Sequence, residues 1–451
     1  MTAVRAVRDD LVARGLVDGL PGAFLAGVTR FGRPPQAELD ALRADAAALA
    51  DRLAAGQVED ADLPLLTRVL YVAGQADLLA ASGVLSPMYD VLGGFRDNLA
   101  RPLGPRLPER PSAGGRRWSL LGRRIGFPVG IPACVLNGSE AWVRHNVANG
   151  WNVLTYKTVR SRAHPANEQP NWVFAARATA SLPPGADADV VADPWDWVAP
   201  GSATVSSVNS FGVPSPAPEE WMPDLARAVD AVGDEQLLLV SVMGEGNGPE
   251  LVEDFARTAR LAQEAGASVI ELNLSCPNTL SASGGGVKPP LCLDPDATVA
   301  VVEAVRRALD DRTGLVAKLS WLDERRLAAL VPRLAPLVDG IAGINTLQSR
   351  VRRSDGAPTF PGRELAGLSG IAVRDSALDL TRRLVALREA GGVHFDVVAM
   401  GGVTDPASFE ALFAAGADAV QSAAGAFADP LLAQRCIGAL GETLPRAVEA
   451  P

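Results

Sequence analysis

At 451 residues, 48% of them hydrophobic and 21% charged, the chain has apolar material for a barrel of roughly 250 residues or more and an accessory domain. Its net charge of −10 excludes nucleic acid as the main partner, because phosphate backbones need a basic face. A local basic pocket for one small phosphate stays open. The four cysteines, Cys134, Cys276, Cys292 and Cys436, form no CxxC pair, which excludes a visible zinc or iron–sulfur ligand set and a disulfide framework.

The start, MTAVRAVRDDLVARGL, carries acidic residues where a signal peptide would be apolar, and no apolar run approaches the ~20 residues that cross a bilayer. The expectation is a cytoplasmic protein without a membrane span. Residues 1–110 read as a helical accessory domain. PPQAELDALRADAAALADRLAAG (34–56) places Leu and Ala at helical spacing between a leading Pro and a trailing Gly, and the stretches 63–83 and 88–103 continue the pattern. The Pro-, Gly- and Arg-rich run at 101–117 marks a linker, bounded at 111–120, before a catalytic domain over 121–445.

From there short apolar runs alternate with Ala/Leu/Arg helices. The runs are FPVGIPACV (127–135), NVLTYKTV (152–159), LLLVSVMG (237–244), VIELNLS (269–275), LVAKLS (315–320), GIAGINT (340–346), DVVAMGG (396–402) and DAVQSAAG (418–425). Eight β/α units in sequence predict an α/β fold, a (β/α)8 TIM barrel whose site lies at the C-terminal strand ends. An open doubly wound sheet is the alternative, but no GxGxxG follows the first run. Three connections are long: an excursion at 160–215, a Gly-rich stretch at 279–294 read as a lid loop, and 347–370. Long loops on the catalytic face usually cover or shape a site.

The strand ends share a chemistry. They carry Lys157 and Thr158, then Asn273, Ser275, Cys276 and Asn278, then Lys318, then Asn345 and Thr346, then Gly401 and Gly402. Asn209 sits on the excursion. Arginine outnumbers lysine 39 to 3, so Lys157, Lys288 and Lys318 stand out as places where a compact ammonium is wanted rather than any positive charge. Asparagine offers two donors and an acceptor, which suits the alternating edge of a heterocycle, whereas a single Asn at a strand end is as readily an Asx-turn. Gly401–Gly402, the small residues of 422–425 and LAGLSG (365–370) stand where barrels hold a phosphate on backbone N–H groups. His145 and His394 read as helix and surface positions, His164 as an excursion residue, and Cys292 as packing.

ELNLSCPNT (271–279), NSFGVP (209–214), YKT (156–158), AKL (317–319), INT (344–346), GLSG (367–370), MGGV (400–403) and GADAVQ (416–421) carry one further reading. Over about residues 120–440 the chain resembles the FMN-dependent dihydroorotate dehydrogenases and the flavin domains of dihydropyrimidine dehydrogenases. The resemblance implies FMN at the strand ends and a cyclic amide, a 5,6-dihydropyrimidine ring of dihydroorotate type, stacked on it. Cys276 would take a proton from one ring carbon while hydride leaves the neighbouring carbon for FMN. Lys157 and Lys318 would lie along the isoalloxazine, with Lys318 near its N1/O2 edge. Asn209, Asn273, Asn278, Asn345 and Thr346 would hold the ring. Cofactor contacts would come from Ala133, Lys157, Thr158, Asn209, Asn273, Lys318, Gly367, Ser369, Gly370, Gly401, Gly402, Ala423 and Ala424. A thiol with a free pKa of ~8.5 is lowered by neighbouring cations, which suits the base role. Soluble relatives often dimerise, so a homodimer is the form the resemblance favours.

Three departures from the family pattern bear on function. Ala423 and Ala424 replace a Gly-Thr pair, AHPANEQPNW (163–172) replaces a Gly-Asn-Pro-x-Pro-Arg stretch ahead of a tryptophan-rich excursion, and the N-terminal helices have no counterpart. The alternatives are the same chemistry on dihydrouracil, dihydrothymine or a specialised cyclic amide, and a barrel that no longer turns over. The electron acceptor is open among fumarate, a quinone, oxygen and a partner protein.

Overall fold

The computed structural model describes residues 3–104, 112–275 and 289–446. Eight parallel strands close into a barrel: β1 Val129–Ile131, β2 Val153–Val159, β3 Leu237–Val242, β4 Val269–Asn273, β5 Gly314–Lys318, β6 Gly340–Gly343, β7 Asp396–Met400 and β8 Ala419–Gln421. Each neighbours the next, and β8 returns to β1 through Val420 opposite Val129. All eight apolar runs become barrel strands, which rules out the open sheet. Their continuous apolar character follows from burial on both faces, by the barrel interior within and the helices without. Helices enter under local control: Asp294, Asp323 and Asp405 each accept a backbone N–H in the first turn of the helix they precede, at 3.1, 2.9 and 2.7 Å.

The N-terminal end of the barrel is floored by a hairpin, Trp118–Leu120 antiparallel to Arg123–Ile125. It begins inside the stretch expected to be linker. Trp118 earns this place by packing edge-on against Phe127 at 5.1 Å, and Phe127 in turn stacks on Phe409.

The excursion and the 347–370 connection are not loose loops. Trp172–Phe174, Asp189–Val191, Ser206–Asn209, Leu347–Arg352 and Leu365–Gly370 form a five-stranded sheet. LAGLSG is therefore a strand, joined to the helix Arg374–Gly391 by one 3-10 turn.

Residues 3–104 hold six helices around their own core, with Leu11, Phe24, Leu49, Leu53, Leu66 and Leu70 fully buried. The stretch 88–103 is helical only over Phe95–Leu99. The Gly93–Gly94 pair breaks the pattern, and Asn98 stabilises the turn by accepting from Asp90 N at 2.9 Å and donating to Asp90 O at 3.0 Å. Two excursion tryptophans reach this region: Trp195 joins its core, and Trp197 meets Tyr71 at 5.3 Å.

Candidate active site

A cavity of about 1050 Å³, open mouth included, lies at the C-terminal strand ends. Strand alternation would send Lys157 and Thr158 to opposite sides, yet both line it. The pairing of β2 with β3 shifts between Tyr156 and Val159, a bulge that turns both side chains inward.

Thr158 anchors a polar chain across the floor. Its Oγ1 lies 3.0 Å from Ser241 Oγ and accepts from Asn273 Nδ2 at 3.1 Å. Asn345 Nδ2 donates to Ser275 Oγ at 3.1 Å, and Asn345 Oδ1 accepts from Thr346 N at 2.9 Å. Hydroxyls thus fix which way the amides point, and every member is buried or half-buried. Ser241 escaped the sequence reading; its signal is a lone hydroxyl near the end of an apolar run.

Lys318 also reaches the cavity. Its ammonium lies 3.6 Å from the carboxylate of Glu271, both side chains being almost fully buried, and among the described residues it donates no hydrogen bond. Its N–H groups therefore have no hydrogen-bond acceptor among the described residues. Asn209 ends its strand at the rim, where its Nδ2 donates weakly to Gly367 O at 3.4 Å.

Opposite the floor the lining is small: Ser369, Gly370, Gly401, Gly402, Ala423 and Ala424. Gly402, at φ 71°, needs to be glycine, because a Cβ there would come within 2.5 Å of Arg374 Cβ at the start of the helix Arg374–Gly391. Gly367 does not line the cavity. It packs behind Thr346, where a Cβ would lie 2.3 Å from Oγ1. Ala423 and Ala424 bring no hydroxyl, but Ser369 does, its Oγ 2.9 Å from Ser207 Oγ.

Ala133 lines the cavity beside Cys134, a residue the sequence did not single out. Burial pushes the Cys134 thiol up to about 11, against the pull of Lys318 and Lys157. Trp172 and Phe211 bring the excursion into the wall. Trp172 is packed by Phe427 at 4.0 Å, Tyr89 at 5.5 Å and Phe211 at 6.2 Å.

The remaining candidates fall elsewhere. Cys276, Asn278, Lys288 and most of 279–294 lie outside the described residues. His145 lies in the helix Glu140–Ala148 as expected, buried, its Nε2 3.0 Å from Asn149 Nδ2. His164 sits off the cavity, 3.6 Å from Glu245, with burial and Arg160 lowering its pKa. Cys292 is packed, its Sγ 3.1 Å from Ser320 Oγ.

The family model described as dihydroorotate dehydrogenase matches residues 200–444. The chain is 27% identical over 365 residues to a dihydroorotate dehydrogenase of Dictyostelium discoideum, covering 77% of this chain and 96% of that protein. It is 28% identical over 203 residues to the catalytic subunit of dihydroorotate dehydrogenase B (NAD(+)) of Enterococcus faecalis, covering 44% and 58% respectively. A crystal structure of the Eimeria tenella enzyme DHODH, in complex with ferulenol, shares the fold at a TM-score of 0.58 and 16% identity, over 74% of this chain and 86% of that one.

Proposed function

Because the chain belongs to the dihydroorotate dehydrogenase family, flavin-dependent oxidoreductases that act on a CH–CH bond, we propose that it binds FMN in the barrel mouth and oxidises a dihydroorotate-like ring. The observation that carries this reading is the Lys318 ammonium, almost wholly buried and aimed at the cavity with no hydrogen-bond acceptor among the described residues. A buried cation in that state asks for an electron-rich ligand edge.

The residues present fit FMN. Lys318 and Lys157 would flank its isoalloxazine, and the small lining at Ser369, Gly370, Gly401, Gly402, Ala423 and Ala424 admits a phosphate close to the backbone. When bound, FMN supplies the two-electron acceptor for the CH–CH bond. The chain does the rest. Asn273 and Asn345, held by Thr158 and Ser275, orient the substrate amide, with Asn209 at the rim; the family pattern adds Asn278 to this set. Cys276 is the base that takes the ring proton. Lys318 gives fixed electrostatic stabilisation to charge that develops in the cavity, at no reorganisation cost.

The test is anaerobic mixing of purified, yellow protein with dihydroorotate, dihydrouracil and dihydrothymine in turn. Bleaching of the visible flavin band by dihydroorotate first is the expected result. Preference for another ring favours the second reading, for which the Trp172 wall is the supporting observation. Cys276→Ala should keep the colour and lose bleaching by on the order of 10²-fold or more. Full bleaching in that variant removes the thiol from the mechanism.

A further inference from the structure

We propose that Glu271 is a positioning residue that sets the charge balance of the cofactor site, holding the Lys318 ammonium from beneath and making bound flavin harder to reduce than Lys318 alone would. This rests on the reading of Lys318 as a flavin neighbour.

Glu271 and Asn273 occupy the same face of β4, since alternate residues of a strand share a side. Asn273 lines the cavity, so Glu271 lies one step deeper. The register agrees: Asn273 is opposite Lys318 and Glu271 opposite Val316. The Lys318 side chain therefore has a carboxylate below it and the cavity above. Their separation of 3.6 Å is an ion-pair distance but too long for a hydrogen bond. Glu271 Oε1, 1% exposed at the residue level, accepts no hydrogen bond from the described residues. The carboxylate thus attracts the ammonium without using up its N–H groups, which stay available to a ligand.

Packing gives no reason to keep a carboxylate at this depth, and burying one is costly unless a cation faces it. Its chemical effect follows from sign. Reduction places negative charge on the flavin, and a nearby cation favours that state. An anion behind the cation offsets part of the benefit, and low dielectric leaves the offset unscreened.

The test is the midpoint potential of bound FMN in the holoenzyme and in Glu271→Gln, which keeps shape and removes charge. The expected result is a positive shift, with the reduced form favoured roughly tenfold more than in the parent, about 30 mV for a two-electron couple. Glu271→Asp, which draws the carboxylate back by a methylene, should shift the same way by less, and it carries the test if the Gln variant does not fold. A merely structural Glu271 would lower the melting temperature and leave the potential in place. FMN-loaded variants with an unchanged or more negative potential overturn the proposal. A parent protein that takes up no FMN overturns the underlying reading instead, and is recognised before any variant is made.

Discussion

The floor and the wall of the cavity are built by different means. The floor comes from β2, β3, β4 and β5, whose backbones are locked in the closed barrel; side chains of the first three are cross-linked through Thr158, Ser241 and Asn273. The wall comes from an inserted five-stranded sheet and from aromatic packing around Trp172. Floor residues have few places to go; wall residues are held by shape. On the proposed function, groups that must act with fixed geometry sit on the barrel, and groups that select the ring sit on the insertion. Precision favours regular elements and variation favours insertions.

The sharpest way to break that division is Lys318→Met. It strips the floor of its cation and leaves Glu271 buried without a partner, so the loss is double. Bleaching by substrate should fall by on the order of 10²-fold or more. The fold should lose about 3–5 kcal/mol, read by chemical denaturation. A variant that matches the parent in both would show that the floor is not where the chemistry is held.

Trp172→Leu attacks the wall and should act on selection more than on rate. KM for the preferred ring should change on the order of tenfold while kcat stays within a few-fold, because the indole shapes the cavity and supplies no acid, base or charge to the chemistry. A drop in kcat as large as that in Lys318→Met would erase the distinction between floor and wall.

The smallest effect is expected where the inserted sheet meets the helical region. Burial raises the Asp196 carboxyl to about 6, although Asp193 N donates to it at 3.1 Å and Arg177 lies 3.5 Å away. The folded state thus holds this proton more tightly than the unfolded one. Asp196 therefore penalises folding above about pH 6, and the penalty fades as pH falls from there toward the ordinary aspartate value of 3.8. Asp196→Asn should raise the melting temperature by roughly 1–3 °C at pH 8, a gain on the order of 1 kcal/mol, and give nothing near pH 4. Equal gains at both pH values would point to packing rather than charge.

Most of the barrel was legible in the sequence because parallel strands buried on both faces announce themselves as unbroken apolar runs, and their C-terminal ends announce themselves by Asn and Lys. What was not legible depends on pairing at a distance. The shift between Tyr156 and Val159 that turns both Lys157 and Thr158 inward belongs to β3 as much as to β2. Gly367 was expected to line the cavity, but antiparallel pairing with Asn209 puts it behind Thr346. Glu271 stood in view as the acid of ELNLS, yet its partner lies 47 residues further on and only the register joins them. Cys276 and Asn278 remain readings of a motif, outside the described residues.

Trp195 has a consequence for how this molecule can be taken apart. Its indole is planted among the N-terminal helices while its backbone lies in the turn just after Asp189–Val191, a strand of the inserted sheet. The helices cannot be excised as an independent cassette. Cutting them away would leave a large apolar ring facing water and slacken the insertion, so a truncated barrel should be stickier and less choosy about its substrate long before it stops being a barrel.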